Sequence, residues 1–339
     1  MKKIIIAVIA LLLAVSLAGC IPDSLGEYKK AVEKTEQIKK GRTTGEYAVV
    51  MDFNTEGMTE EQIRELNYFR NVEGSFDAVS DDEAGKGILR NYLSLGGLGF
   101  DFDLFINGDE VFMKLPVIGK YLRIDELQAS MKKEQDGQDM ELISGESQEE
   151  IGAKWLGLLK KEDIFKGRDI VLTTPDGEVK TTEYTIKLKD EQIKSLAADV
   201  ADILLKDEKL RENFEKYAKK DGVPLKDKDI EEILAGFKED IKNYTVENFS
   251  YIAYVDIDGY IVNKMIELSL KIENVELKVS DEKRGILTGV SYKLDIKNWD
   301  INKEQKFEFP VLTEDNTLEM NQMDENMPFM IEDLMDNKD

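Results

Sequence analysis

The chain has 339 residues, with 70 acidic side chains against 46 basic ones and a formal net charge of −24. It holds no histidine and one cysteine, Cys20, which excludes Ser-His-Asp and Cys-His catalysis, zinc sites built from His or Cys, His-ligated haem and any internal disulfide. Strong negative charge repels phosphate and argues against nucleic acid as a partner, while a hydrophobic content of 42% is that of a folded chain.

Met1-Lys2-Lys3 is a short basic stretch, Ile4 to Leu13 is unbroken apolar sequence, and Leu17-Ala18-Gly19 places small residues ahead of Cys20. The apolar run is too short to span a bilayer, so the order predicts a leader over 1–19 that is cleaved. Leu17 to Cys20 resembles the bacterial lipobox. That resemblance implies a diacylglyceryl group on Cys20, a short tether over 20–26, and a protein held to the cell membrane on its extracytoplasmic face. Each buried methylene of such an anchor contributes about 0.8 kcal/mol, so two long chains hold firmly.

Ser24 and Glu27 read as a capping box, followed by Tyr28, Ala31, Val32, Thr35 and Ile38 at helical spacing, with Gly41 as the stop. Tyr47, Val49, Met51 and Phe53 then alternate with Glu46, Ala48, Val50 and Asp52, which is the period of a half-buried strand. A second strand on Phe102, Leu104 and Ile106 meets Asn107-Gly108, a hairpin signal, before Val111, Met113 and Leu115. Residues 125–150 are charge-dense and read as a loop. Ser147 to Glu150 reads as a second capping box, ahead of Ile151, Trp155, Leu158 and Leu159 on one helical face.

Pro175-Asp176-Gly177 marks a turn before the alternation of Tyr184, Ile186 and Leu188. Thr43-Thr44-Gly45-Glu46-Tyr47 is faintly like Thr181-Thr182-Glu183-Tyr184, a hint of two related halves over about 27–165 and 166–312. Residues 190–243 form a helical insertion, with one apolar stripe on Ile193, Leu196, Ala197, Val200 and Leu204. Strands return around Asp258-Gly259 and end on Tyr292, Leu294 and Ile296. The acidic, Met-rich tail over 313–339 carries nine acids against one lysine. It is either a solvated tail or a strip that docks on an apolar groove or a protein partner.

No phosphate-binding glycine loop, hydrolase elbow or aspartic-protease motif occurs. Asp256-Ile257-Asp258-Gly259 lacks the spacing of a calcium loop and reads as a hairpin turn. No metal, cofactor or catalytic residue is assigned. Trp155, Phe214, Phe237, Tyr251 and Met113 are candidate apolar ligand contacts, with ordinary core packing as the alternative for the aromatics. The fold class is α+β, a curved antiparallel sheet covered by helices.

Tyr254 to Val262, with Asp-x-Asp-Gly between apolar residues, resembles a hairpin of the LolA-like superfamily of bacterial envelope carriers. That group includes lipoprotein chaperones and mycobacterial glycolipid-binding lipoproteins. Val111 to Pro116 with Gly119 to Leu122 is similar to strands of Gram-positive members of unassigned function. The resemblance covers most of 27–312 and implies a half-open barrel closed by helices, with an apolar cavity for acyl chains. The expected function is therefore a non-enzymatic, membrane-anchored lipoprotein that binds a lipid or lipidated partner. The alternative is an envelope or signalling scaffold that binds a protein without a ligand cavity.

Overall fold

The alternation at Tyr47, Val49, Met51 and Phe53 belongs to a longer strand, β1 (Lys40–Asn54), at the middle of one continuous sheet. The computed structural model describes residues 23–115, 119–124, 143–212, 236, 238, 240–278 and 284–319. Helix α1 (Ser24–Glu36) precedes β1. After it come α2 (Glu60–Arg70), β2 (Asn71–Asp81), β3 (Lys86–Leu95), β4 (Leu98–Asn107), β5 (Glu110–Leu115) and β6 (Lys120–Arg123). The second part holds α3 (Gly145–Leu158), β7 (Ile164–Thr174), β8 (Gly177–Ile186), α4 (Asp190–Lys206), β9 (Tyr244–Asp256), β10 (Ile261–Lys278), β11 (Arg284–Trp299) and β12 (Thr317–Glu319).

The twelve described strands form a curved, unclosed sheet in the order β12-β6-β5-β4-β3-β2-β1-β11-β10-β9-β8-β7. All pairings are antiparallel except β12 with β6. Long-range pairing of β1 with β11 joins the two parts of the chain. Glycine makes the tight turns: Gly108 has φ 60° between β4 and β5, and Gly259 has φ 88° between β9 and β10. Both hairpins stand where Asn-Gly and Asp-Gly predict them.

Several boundaries differ from expectation. The N-cap of α1 is Asp23 rather than Ser24, because the first backbone turn closes from Glu27 N–H to the Asp23 carbonyl at 2.8 Å. Gly41 is no helix stop. It lies in β1, where a Cβ would sit 3.4–3.6 Å from the backbone of Trp299, Asp300 and Ile301. Ser144, not Ser147, caps α3, its Oγ accepting from Ser147 N–H at 3.2 Å, so residues 145–150 are helix rather than loop. Residues 125–142 lie outside the described residues. The sequence reading passed over α2, β2 and β3, although Thr59 and Gln62 form a capping box at the head of α2.

The helical insertion stands between the adjacent strands β8 and β9: α4 fills 190–206 and helix continues over 208–212. Within α4 the buried residues are Ala201 and Ile203, and Asp207 and Leu210 are buried just after it. Residues 213–235, with Phe214, and Phe237 lie outside the described residues, as do the leader, Cys20 and residues 320–339. At the head of the tail, Thr317 to Glu319 add a short parallel strand beside β6, so the sheet extends into residues assigned to a separate tail.

Three apolar clusters fill the fold. The first packs Tyr28 and Ala31 of α1 and Trp155 of α3 on β7 to β10. The second stacks Phe105 on Phe112, with centroids 5.0 Å apart, under Phe307, Phe309 and Leu312 of the chain after β11. The third gathers Leu104, Val111, Ile124 and Met113 on the other face.

Candidate functional site

Cross-strand pairing fixes which side chains share a face, since directly opposed residues point the same way. Tyr47 on β1 faces Leu294 on β11, which faces Ile266 on β10, which faces Tyr251 on β9. Two residues on, Val49, Tyr292, Leu268 and Phe249 repeat the row. This face is apolar across four strands because β1, β9, β10 and β11 place their hydrophobic residues in the same phase.

The β9 end of that face is sealed by α1 and α3. Tyr28 is fully buried, its ring 6.2 Å from Tyr251 at 85° and 6.4 Å from Tyr184. Trp155 lies 5.3 Å from Tyr251, and its Nε1–H donates to Tyr28 Oη at 3.4 Å. Glu27 Oε2 accepts from Lys166 Nζ at 2.8 Å and from Tyr184 Oη at 2.7 Å. Those two hydrogen bonds, Lys166 first, hold the Glu27 carboxyl below its ordinary value despite some burial. Burial pushes the Tyr28, Tyr184 and Tyr251 phenols up, so all three are neutral hydrogen-bonding groups at neutral pH.

Past Tyr251 the seal thins. Among the described helices, α1 packs on β7 and β10, α4 packs on β9, and α2 packs near one end of β1, β2 and β3. Tyr47, Val49, Tyr292, Leu294, Ile266 and Leu268 are consequently only half-buried. At the far side Leu98 and Phe100 of β4 are 43% and 37% exposed, so the apolar strip reaches solvent there.

The opposite face carries a different feature. A cavity of about 430 Å³ crosses β3, β2, β1, β11 and β10. Glu46, Glu73, Asp295 and Glu267 line it together with Lys293, and Tyr92, Met265, Tyr47, Leu294 and Ile266 give it a largely apolar surface between those charges. Lys293 pairs with Glu267 at 3.5 Å, which leaves the trough net negative. It can attract cations. Among the described residues, however, no group of three or more acids has the geometry to hold a metal ion.

The sequence-predicted contacts separate. Trp155 and Tyr251 touch each other at the sealed end of the strip, whereas Met113 stands in the cluster on β4 and β5, away from them. Cys20, Phe214 and Phe237 lie outside the described residues. Lys264, which occupies the apolar phase of β10 two residues before Ile266, was passed over. The signal for it was a break in the series Val262, Ile266, Leu268 and Leu270 at the one position where a lysine intervenes. No described helix is long and apolar enough to cross a membrane.

No family model matches the chain, and no curated protein matches it. Among solved structures, it is similar to a crystal structure of a beta-barrel-like protein of the domain of unknown function DUF1849 from Brucella abortus. The identity is 11%, over 78% of this chain and 100% of that one, with a TM-score of 0.19, a likeness too slight to carry an argument.

Proposed function

We propose that this protein is a non-enzymatic, membrane-anchored carrier lipoprotein of LolA-like type, holding a lipid or the acyl part of a lipidated partner on the apolar face of its sheet. One observation carries the reading: an apolar strip from Leu98 and Phe100 to Ile266 whose middle side chains stay half-buried while its β9 end is sealed by Tyr28 and Trp155. A closed core would bury these residues, and a solvated face would not be apolar. Each methylene laid on the strip gains about 0.8 kcal/mol, so a long acyl chain is held without any specific polar contact. The lipobox-like Leu17 to Cys20 supports anchoring at the extracytoplasmic face of the cell membrane, and the negative charge limits adsorption of the body to anionic lipid.

The test is titration of 1-N-phenylnaphthylamine into the chain from residue 21 onward, followed by displacement with monopalmitoylglycerol. Saturable uptake and displacement, both lost in Leu294→Asp, support the carrier reading. A protein that takes up no probe, or that takes it up equally with Leu294→Asp, contradicts it.

A second reading, a scaffold that binds a basic protein partner, is favoured by the acidic trough at Glu46, Glu73, Glu267 and Asp295. It predicts salt-sensitive capture of a polylysine peptide that Glu46→Gln with Glu73→Gln weakens.

A further inference from the structure

We propose that Lys264 is the head-group site of an anionic amphiphile, its ammonium taking the carboxylate or phosphate that ends an acyl chain lying along Ile266, Leu294 and Tyr47. This rests on the carrier reading and adds the ligand's charge to it. Lys264 pairs across the sheet with Ile296 on one side and Ala253 on the other, and beyond Ile296 lies Gly45. The Phe76 ring lies where a Gly45 side chain would stand, so this row is walled by apolar groups. Ala253 is fully buried and Tyr184 follows it on β8. Lys264 therefore stands where the sealed cluster under α1 gives way to the open strip, one row from Ile266 and Leu294.

No carboxylate shares this place. The cross-strand neighbours are Gly45, Ile296, Ala253 and Tyr184, and Glu27 of α1, which reaches this row through Tyr184, already accepts from Lys166 and Tyr184. Among the described residues Lys264 makes no ion pair, in a chain where 70 acids outnumber 46 bases. Burial alone lowers its pKa, with no compensating acid. A desolvated, unpaired ammonium is costly, and the cost is removed when a bound anion supplies the missing charge. A structural lysine snorkelling to solvent needs no such partner. The two roles differ in what they select.

The chain from residue 21 onward retains every described element and serves for the test. Palmitate, 1-palmitoyl lysophosphatidate and neutral monopalmitoylglycerol are each used, below their micelle concentrations, to displace 1-N-phenylnaphthylamine. Wild type is expected to take at least one of the two anions about tenfold or more tighter than the neutral lipid, as a charge-assisted contact requires. The stronger of the two identifies the source, a free fatty acid or a phospholipid head group. Lys264→Met should abolish the preference and leave monopalmitoylglycerol unchanged, and Lys264→Arg should keep it. Equal binding of all three lipids by wild type, or a preference that survives Lys264→Met, overturns the proposal while leaving the carrier reading intact. Failure of all three lipids to displace or bind overturns both. The wild-type comparison decides even where a variant folds poorly.

Discussion

Glu46 on β1 stands directly opposite Asp295 on β11, two carboxylates on one face of the sheet. Asp295 accepts a hydrogen bond from Asn263 Nδ2 at 2.5 Å, and no described salt bridge reaches either acid. Directly opposed like charges destabilise a sheet by a few tenths to about 1 kcal/mol. Glu46→Gln should therefore raise the unfolding free energy by that much, seen as a higher urea midpoint with the slope unchanged, and added salt should narrow the gap between variant and wild type. A lower midpoint for Glu46→Gln would show that the trough is held by contacts other than those between its walls.

The α3–α4 cover depends on Asp207. Its carboxylate accepts from Ser144 N–H at 2.9 Å, from Ser144 Oγ at 2.7 Å and from Leu210 N–H at 2.7 Å, tying the head of α3 to the end of α4. Burial pushes its pKa up, but hydrogen bonds from Ser147, Leu210 and Ser144 outweigh that and bring it down to about 2. A depressed carboxyl adds stability above its unfolded value near 4 and loses it as pH falls through its folded value. Asp207→Ala should cost about 2 kcal/mol at pH 7, and the difference should shrink between about pH 4 and pH 2 and vanish below. Unfolding curves at a series of pH values check this; a constant difference down to pH 2 would contradict it.

Tyr28 tests the sealed end of the strip. It is fully buried among Tyr184, Tyr251 and Trp155, so Tyr28→Ala should destabilise by about 3–5 kcal/mol, as truncation of a buried aromatic does. Tyr28→Phe removes the hydroxyl that accepts from Trp155 Nε1 at 3.4 Å and hydrogen-bonds Tyr251, and should cost about 1–2 kcal/mol. Thermal melts of the two variants separate packing from hydrogen bonding.

The chain after β11 acts as a strap over the second cluster. Phe307 and Phe309 stack with centroids 5.8 Å apart and lie with Leu312 against Phe105 and Phe112. Phe309→Ala should cost about 1.5–3 kcal/mol. Because this cluster and the apolar strip occupy opposite faces, lipid displacement should be unchanged in the folded variant. A loss of binding without unfolding would place the ligand on the wrong face.

Much of this was legible because period-2 alternation survives in one-faced strands. Tyr47 to Phe53 and Tyr292 to Ile296 gave their faces, whereas β4 buries both faces, Leu104 on one and Phe105 on the other; Asn107-Gly108 and Asp258-Gly259 gave their turns. The stretch of β2 and β3 was not legible: Gly74, Ser75, Ser94 and Gly96 interrupt the pattern, for reasons visible only in three dimensions. Gly74 leaves space for the Tyr47 ring, whose atoms come within 2.3 Å of where a Cβ would stand. Gly96, at φ 55°, passes against the backbone of Tyr68 in α2. The candidate site was legible only in part. Trp155 and Tyr251 meet, yet nothing in their spacing of nearly a hundred residues announces it, and Lys264 stands out only once Ile296 and Ala253 are known to flank it.

The central claim is that the half-buried strip holds an acyl chain. The most direct measurement is native mass spectrometry of the chain from residue 21 onward, purified without detergent from the cells that make it, with organic extraction of whatever it carries. The account predicts a lipid at one per protein, absent from Ile266→Glu and Leu294→Asp and regained by wild type after exposure to vesicles. A clean protein that also takes nothing from vesicles would contradict it and leave the acidic trough as the surface to pursue.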